Sequence, residues 1–263
     1  MTTNVDFESR VAQSLKFIES CELGGCDHSS HPGSSAAAFD VDEKNPGALV
    51  IGNTIVSIVA GMSSDNKKII NDILLLATLA ANKAAPQGGI AWYEKYQQVL
   101  TSCGLYSQSS GWSDYSFSNK RFTMDQVALE ILQSALLAAA LPGPTAVLML
   151  KVAKDTVTAL QRKDAPLRLF ERESKTHNGA KFTIATVAES TDGSVAMAMG
   201  SVAFSSSLSV TDVLFWEWSN TGVRIQRAEN VLTLNHAQYA RVRKAVEAKL
   251  GDSAQQKIEE IEI

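Results

Sequence analysis

The spacing of apolar residues changes once along this chain, from a helical repeat near 3.6 before Pro166 to a strand repeat near 2 after it. A chain that places its helices first and its strands in one later block cannot wind them alternately into a parallel βαβ sheet. The order predicts an α+β fold. Phe7, Val11, Leu15 and Ile18 mark a first amphipathic helix, and 65–85 a second that stops at Pro86. Trp92, Tyr96, Val99, Leu100 and Cys103 share one side of a third, closed by Gly104. Thr123 and Gln126 have the spacing of a capping box and open a helix over 124–141; after Pro142-Gly143-Pro144 another runs over 145–162. Beyond Pro166, Leu167 and Leu169 alternate with Arg168, Phe182 and Ile184 with Lys181 and Thr183, and Asp192-Gly193 reads as a hairpin turn. Further strands are expected over 195–205, 213–219 and 223–234, and Asn235 caps a last helix over 236–250. We read one domain over 1–263: helical N-terminal two-thirds packed on a C-terminal antiparallel sheet, followed by a final helix. A flexible loop is expected at about 21–47 and a frayed tail at about 252–263.

Two segments are ambiguous by pattern. Over 48–62, Ile51, Ile55, Ile58, Val59 and Met62 recur at helical spacing although the β-branched content favours a strand; we read a buried helix. The polar, aromatic stretch 106–122 shows neither period and reads as an ordered loop.

A hydrophobic fraction of 45% and a charged fraction of 20% belong to a chain that folds. The formal net charge of -4 leaves no basic field for phosphates, so nucleic acid is not expected as a partner. Asp6 and Glu8 stand where a secretory signal carries its basic region, so the chain is expected to be cytoplasmic as synthesised, with release or injection independent of a cleaved signal. Three cysteines in a chain of this length make no disulfide scaffold.

Cys21, Cys26, His28 and His31 bring zinc-ligand side chains into one short stretch. Their order matches no established finger pattern, so a zinc site, a Cys21–Cys26 disulfide and a plain Gly/Ser loop stay open, and the loop is the expected state. No cofactor is expected. Alternation along Leu214-Phe215-Trp216-Glu217-Trp218 sets Trp216 and Trp218 on one strand face, and with Trp92 and Tyr96 they are the candidate lining of an apolar ligand site. Aromatic residues at this spacing are more often simply the core between sheet and helices. Glu171, Glu189, Asp192 and Glu217 lie on or near the expected strands and are candidates for an acid/base pair. The Gly-x-Ser-x-Gly, His-Glu-x-x-His, P-loop and Gly-x-Gly-x-x-Gly motifs are absent.

The run Ile51-Gly52-Asn53-Thr54-Ile55-Val56-Ser57-Ile58-Val59-Ala60-Gly61, followed by Leu74-Leu75-Leu76-Ala77, Trp92-Tyr93-x-x-Tyr96 and Leu214-Phe215-Trp216-Glu217-Trp218, resembles the Evf-like bacterial virulence factors over most of the chain. The resemblance implies an α+β protein acting in colonisation of an insect host, with a lipid acyl group on a cysteine of the sheet portion. No cysteine follows Cys103 here, so that modification does not carry over.

The most apolar stretch, 127–153, invites a transmembrane assignment and fails it. Spanning needs about 20 consecutive apolar residues. Glu130, Gln133, Pro142-Gly143-Pro144 and Lys151 divide this one into the arms of a helical hairpin, the element most able to enter a membrane were the domain to open. The function expected is therefore that of a non-enzymatic host-interaction or virulence-type factor whose partner is a lipid or a host protein. The alternatives are a hydrolase-like enzyme with a carboxylate site on the sheet, and a metal-stabilised interaction module.

Overall fold

A computed structural model of the chain describes residues 2–24, 45–86, 89–109, 111–118, 120–139, 141, 143–219, 221–251 and 258–261. In chain order the elements are α1 (Thr2–Ser20), β1 (Gly47–Ile51), β2 (Thr54–Ile58), α2 (Ser64–Ala84), α3 (Gly89–Ser102), β3 (Leu105–Ser109), β4 (Ser113–Tyr115), β5 (Arg121–Phe122), α4 (Met124–Ala138), α5 (Gly143–Leu160), α6 (Asp164–Ser174), β6 (Lys175–Thr176), β7 (Gly179–Glu189), β8 (Val195–Ser206), β9 (Trp218–Ser219), β10 (Val223–Leu234), α7 (His236–Leu250) and β11 (Ile258–Ile261). The α+β class holds. By its contacts the chain forms two compact units, one of Met1–Asp42, Ser64–Tyr106 and Leu234–Ile258, the other of Glu43–Ser63, Ser107–Thr233 and Glu259–Ile263.

The first unit is helical. α2 packs on α3 and α7, and α1 on α3 and α7. Ile18, Ile70, Ile73, Leu74, Tyr96 and Tyr239 are among its fully enclosed side chains, at the three- and four-residue spacing that stacks one stripe per helix. Asn235 caps α7 by accepting a hydrogen bond from the Gln238 amide at 3.0 Å. Gly104 closes the chain after α3 at φ +97, and a side chain there would meet the Asn235 carbonyl at 3.0 Å, so the stop signal is also a close approach.

The second unit is built on a sheet of nine strands among the described residues, ordered β11-β1-β2-β7-β8-β10-β3, with β4 beside β10 and β6 beside β7. β7, β8 and β10 pair antiparallel over nearly their whole length. β2 and β7 run parallel, Thr54 level with Thr183 and Ile58 with Val187. Two side-chain rows alternate along these strands. Ala180, Phe182 and Ile184 face the core shared with α4 and α5, where Val127, Ile131, Met149 and Val157 meet Val202 and Phe204. Lys181, Thr183 and Ala185 belong to the opposite row. A Cβ on Gly200 would lie 2.8 Å from the Leu132 amide nitrogen and 2.9 Å from the Ala128 carbonyl oxygen, so the missing side chain lets α4 rest on β8.

Four segments differ from the sequence expectation. Residues 48–62 form the β1–β2 hairpin, not a helix: both strands are buried on both faces, which erases alternation, and Gly52 at φ +57 with Asn53 makes the turn. Pro166 is the third residue of α6 and does not end the helical part. It sits in the first turn, whose amides need no intrahelical acceptor, and Pro166, Leu169 and Phe170 bury one helical stripe. The stretch 106–122 contains the short strands β3, β4 and β5. Only Trp218 and Ser219 of the expected 213–219 strand are extended, because the Asp212 carboxylate accepts the amides of Leu214 and Phe215 at 2.9 and 2.7 Å and turns the chain. Within the expected tail, 258–261 form β11, while 252–257 and most of the expected loop, 25–44, lie outside the described residues.

Candidate functional site

α4 and α5 form a hairpin whose inner faces are core and whose outer faces change character along its length. Near the sheet's middle the outer positions are Gln126, Glu130 and Gln133 on α4 and Lys151, Lys154 and Asp155 on α5. Toward the closed end they become apolar. Leu137 is 74% exposed, Val147 71% and Leu148 44%, and the whole run from Ile131 to Leu150 contains no charged side chain. Exposed leucines and valines are ordinary singly; three at one end of one hairpin are not. No helix among the described residues is long and apolar enough to cross a membrane.

The capping-box spacing read from the sequence fixes where this hairpin starts, since Gln126 Oε1 accepts the Thr123 amide at 3.3 Å. Phe122 pairs with Trp218, whose ring packs edge-on against Phe204 at 5.4 Å between centroids. Ala128 and Leu132 then pass Gly200. α4 therefore runs from the Phe204 end of β8 toward its Val195 end, and on α5 the Met149 carbonyl accepts the Thr186 hydroxyl of β7 at 3.1 Å, which sets the exposed apolar end of the hairpin toward the Glu189 end of that strand.

The aromatic candidates separate into two pairs, one in each unit. Trp92 and Tyr96 are stacked at 4.9 Å, buried in the helical unit, with the Trp92 indole N–H donating to Asn82 Oδ1 at 2.7 Å. In the sheet unit Trp218 is 2% exposed and Trp216 50%, the Asp212 turn having taken them off a common strand face. Of the cysteine and histidine cluster, Cys21 is a buried free thiol just past α1; Cys26, His28 and His31 lie outside the described residues. The carboxylates hold local structure. Glu189 accepts the amide and hydroxyl of Ser63 at 2.8 and 2.9 Å, Glu171 the Val213 amide at 2.7 Å, and Glu217 pairs with Arg121 at 3.0 Å in the open. Asp192 takes the Ser190 hydroxyl and the Ser194 amide of the β7–β8 turn, which holds its carboxyl down at about 2.

Sequence reasoning missed Lys181. It lies on β7, in the row opposite the α4–α5 face, only 8% exposed, with its ammonium 5.1 Å from the centre of the Trp112 ring. The alternation Ala180-Lys181-Phe182 looked like a solvated outer face, but this face of the sheet is covered too. Burial pushes the ammonium down to about 8. The unfolded chain then holds that proton more tightly than the folded one, so this group adds stability as pH rises from about 8 toward the ordinary lysine range. Lys181→Met should therefore be more stabilising relative to wild type at pH 7 than at pH 10. The difference is expected to be about 2 to 3 kcal/mol, and denaturant titrations at the two pH values read it directly.

No family model matches this chain, and no curated protein matches it. Among solved structures it is similar to the Evf virulence factor, at 12% identity and a TM-score of 0.38 over 94% of this chain and 89% of that one. It is likewise similar to a delta-endotoxin, at 12% identity and a TM-score of 0.38 over 81% of this chain and 92% of that one.

Proposed function

We propose that this protein is a non-enzymatic, virulence-type factor that docks on lipid membranes through the tip of the α4–α5 hairpin. One observation carries the reading: Leu137, Val147 and Leu148 are exposed together at the tip of a hairpin that stays uncharged until Glu130 and Lys151. From Val147 to Lys151 is about one helical turn, or about 6 Å along the axis. That matches the roughly 5 to 10 Å to which interfacial helices bury their apolar faces. Lys151 and Lys154 would then stand at headgroup level, where long cationic side chains are most easily kept. A protein-binding surface would need no such axial separation of apolar from charged side chains. Likeness to solved structures at this distance adds no weight to the proposal.

Flotation of the purified protein with neutral and anionic lipid vesicles tests it. Saturable recovery with vesicles at moderate salt supports docking, and no recovery with either composition contradicts it. Sedimentation of the protein alone separates the competing occupant, a second copy: a dimer that dissolves when Leu137 is made Asp would assign the tip to self-association. Leakage of an entrapped dye then tells docking from pore formation. Binding with leakage at background is the expected result, because neither arm carries an uncharged apolar run of spanning length: Glu130 interrupts α4, and Lys151, Lys154 and Asp155 interrupt α5.

A further inference from the structure

The far end of the sheet unit, where β7 begins and β8 ends, carries a cleft of about 470 Å³ lined by Asn178, Ser205, Ser207 and Arg224, with Gly222 at its edge. It is an open depression, with Ser205, Ser207, Gly222 and Arg224 all exposed. Gly179, Ser205 and Arg224 are level with one another across β7, β8 and β10, and Lys181, Ala203 and Gln226 form the next row on the same sheet face. The Arg224 guanidinium and the Ser205 and Ser207 hydroxyls make no hydrogen bond or ion pair with any described residue. The backbone at this lip is nonetheless fixed. The Ser206 amide donates to the Asn178 carbonyl at 2.8 Å, the Leu208 amide to Ser206 Oγ at 3.0 Å, and Gly222 turns at φ +95. A held backbone that presents a guanidinium and hydroxyls side by side on an exposed lip is suited to an oxyanion.

We propose that this cleft binds a small soluble phosphorylated ligand of sugar-phosphate size. Arg224 takes the phosphate in bidentate fashion, the serine hydroxyls bond the remaining oxygens, and Lys181, one row inward beneath Trp112, adds positive potential along the same face. A bare phosphate would leave most of the cleft unfilled, and a neutral sugar would leave Arg224 without its counter-charge. The site does not depend on the membrane reading. Thr186, which bonds the Met149 carbonyl of the hairpin, stands seven residues along β7 from Gly179, so at about 3.3 Å per residue the cleft lies about 20 Å or more from the hairpin's exposed apolar end. A headgroup of the membrane under the tip does not reach it.

The test is an amide-detected NMR titration of the full chain with glucose 6-phosphate, inorganic phosphate and glucose, at matched ionic strength. Saturable shifts at Ser206, Ser207 and Gly222 are expected with glucose 6-phosphate at millimolar Kd or tighter, weaker ones with phosphate, and none with glucose. Arg224→Gln, an exposed change that leaves the remaining spectrum in place, should weaken glucose 6-phosphate by about tenfold or more. Absence of saturable shifts with both phosphates would overturn the proposal, as would an Arg224→Gln protein that binds like wild type. Equal binding of glucose would overturn the assignment of an anion. Vesicles carrying a phosphorylated headgroup form the last arm: shifts at the same amides with vesicles but not with glucose 6-phosphate would overturn the soluble source.

Discussion

Gly200→Val is expected to destabilise the protein by about 3 kcal/mol or more, enough to remove much of the stability of an ordinary domain. The first atom of any side chain at 200 would meet the Leu132 nitrogen at 2.8 Å and the Ala128 oxygen at 2.9 Å. Both are backbone atoms inside α4, so no rotamer change relieves the clash; the helix must lift from β8. Lifting it would open the contacts among Val127, Ile131, Ala198 and Val202. Gly47→Ala is the control, since its Cβ would rest 3.7 Å from the Ile58 side chain, an ordinary packing distance. Urea titrations of the two variants should differ by most of the Gly200→Val cost. Equal midpoints would mean that α4 does not lie on β8 as described.

The class of the fold was legible because it rests on long amphipathic segments. α1, α3, α4, α5 and α7 were readable from stripes such as Phe7, Val11, Leu15 and Ile18, and from caps such as Thr123 and Asn235. The losses have separate physical causes. β1 and β2 are buried on both sides, and a run without alternation carries no period; the Gly52-Asn53 pair was the usable turn signal. Pro166 was read as a break, yet proline starts a helix as well as it ends one. The Asp212 turn that takes Trp216 off the sheet depends on one carboxylate capturing two amides, which residue spacing does not reveal.

The candidate sites were legible to different degrees. The hairpin was visible as an apolar run broken by Pro142-Gly143-Pro144, but an apolar pattern does not show which positions a core covers. Leu136 and Leu137 are neighbours in sequence; one is buried and the other mostly exposed. Lys181 and Arg224 are two strand lysine and arginine residues that sequence alone places on a wet surface. Only the register across β7, β8 and β10 puts them on one face.

Making the tip polar should abolish membrane docking while leaving the fold intact. Leu137, Val147 and Leu148 are already exposed, so Leu137→Asp, Val147→Asp and Leu148→Asp together remove little from the core and should leave the melting temperature within a few degrees of wild type. In the membrane the same side chains account for most of the buried apolar area, and each fully buried leucine or valine is worth about 1.5 kcal/mol or more. Losing three, and setting three carboxylates at the lipid boundary instead, should weaken vesicle binding by about a hundredfold or more. Val147→Leu should bind at least as well as wild type, since it keeps the apolar surface. Vesicle flotation of the triple aspartate variant beside wild type, with both confirmed folded by circular dichroism, tests the central claim most directly. Docking through the hairpin predicts wild type with the vesicles and the variant left at the bottom of the gradient; co-flotation of a folded variant at the wild-type level would contradict it.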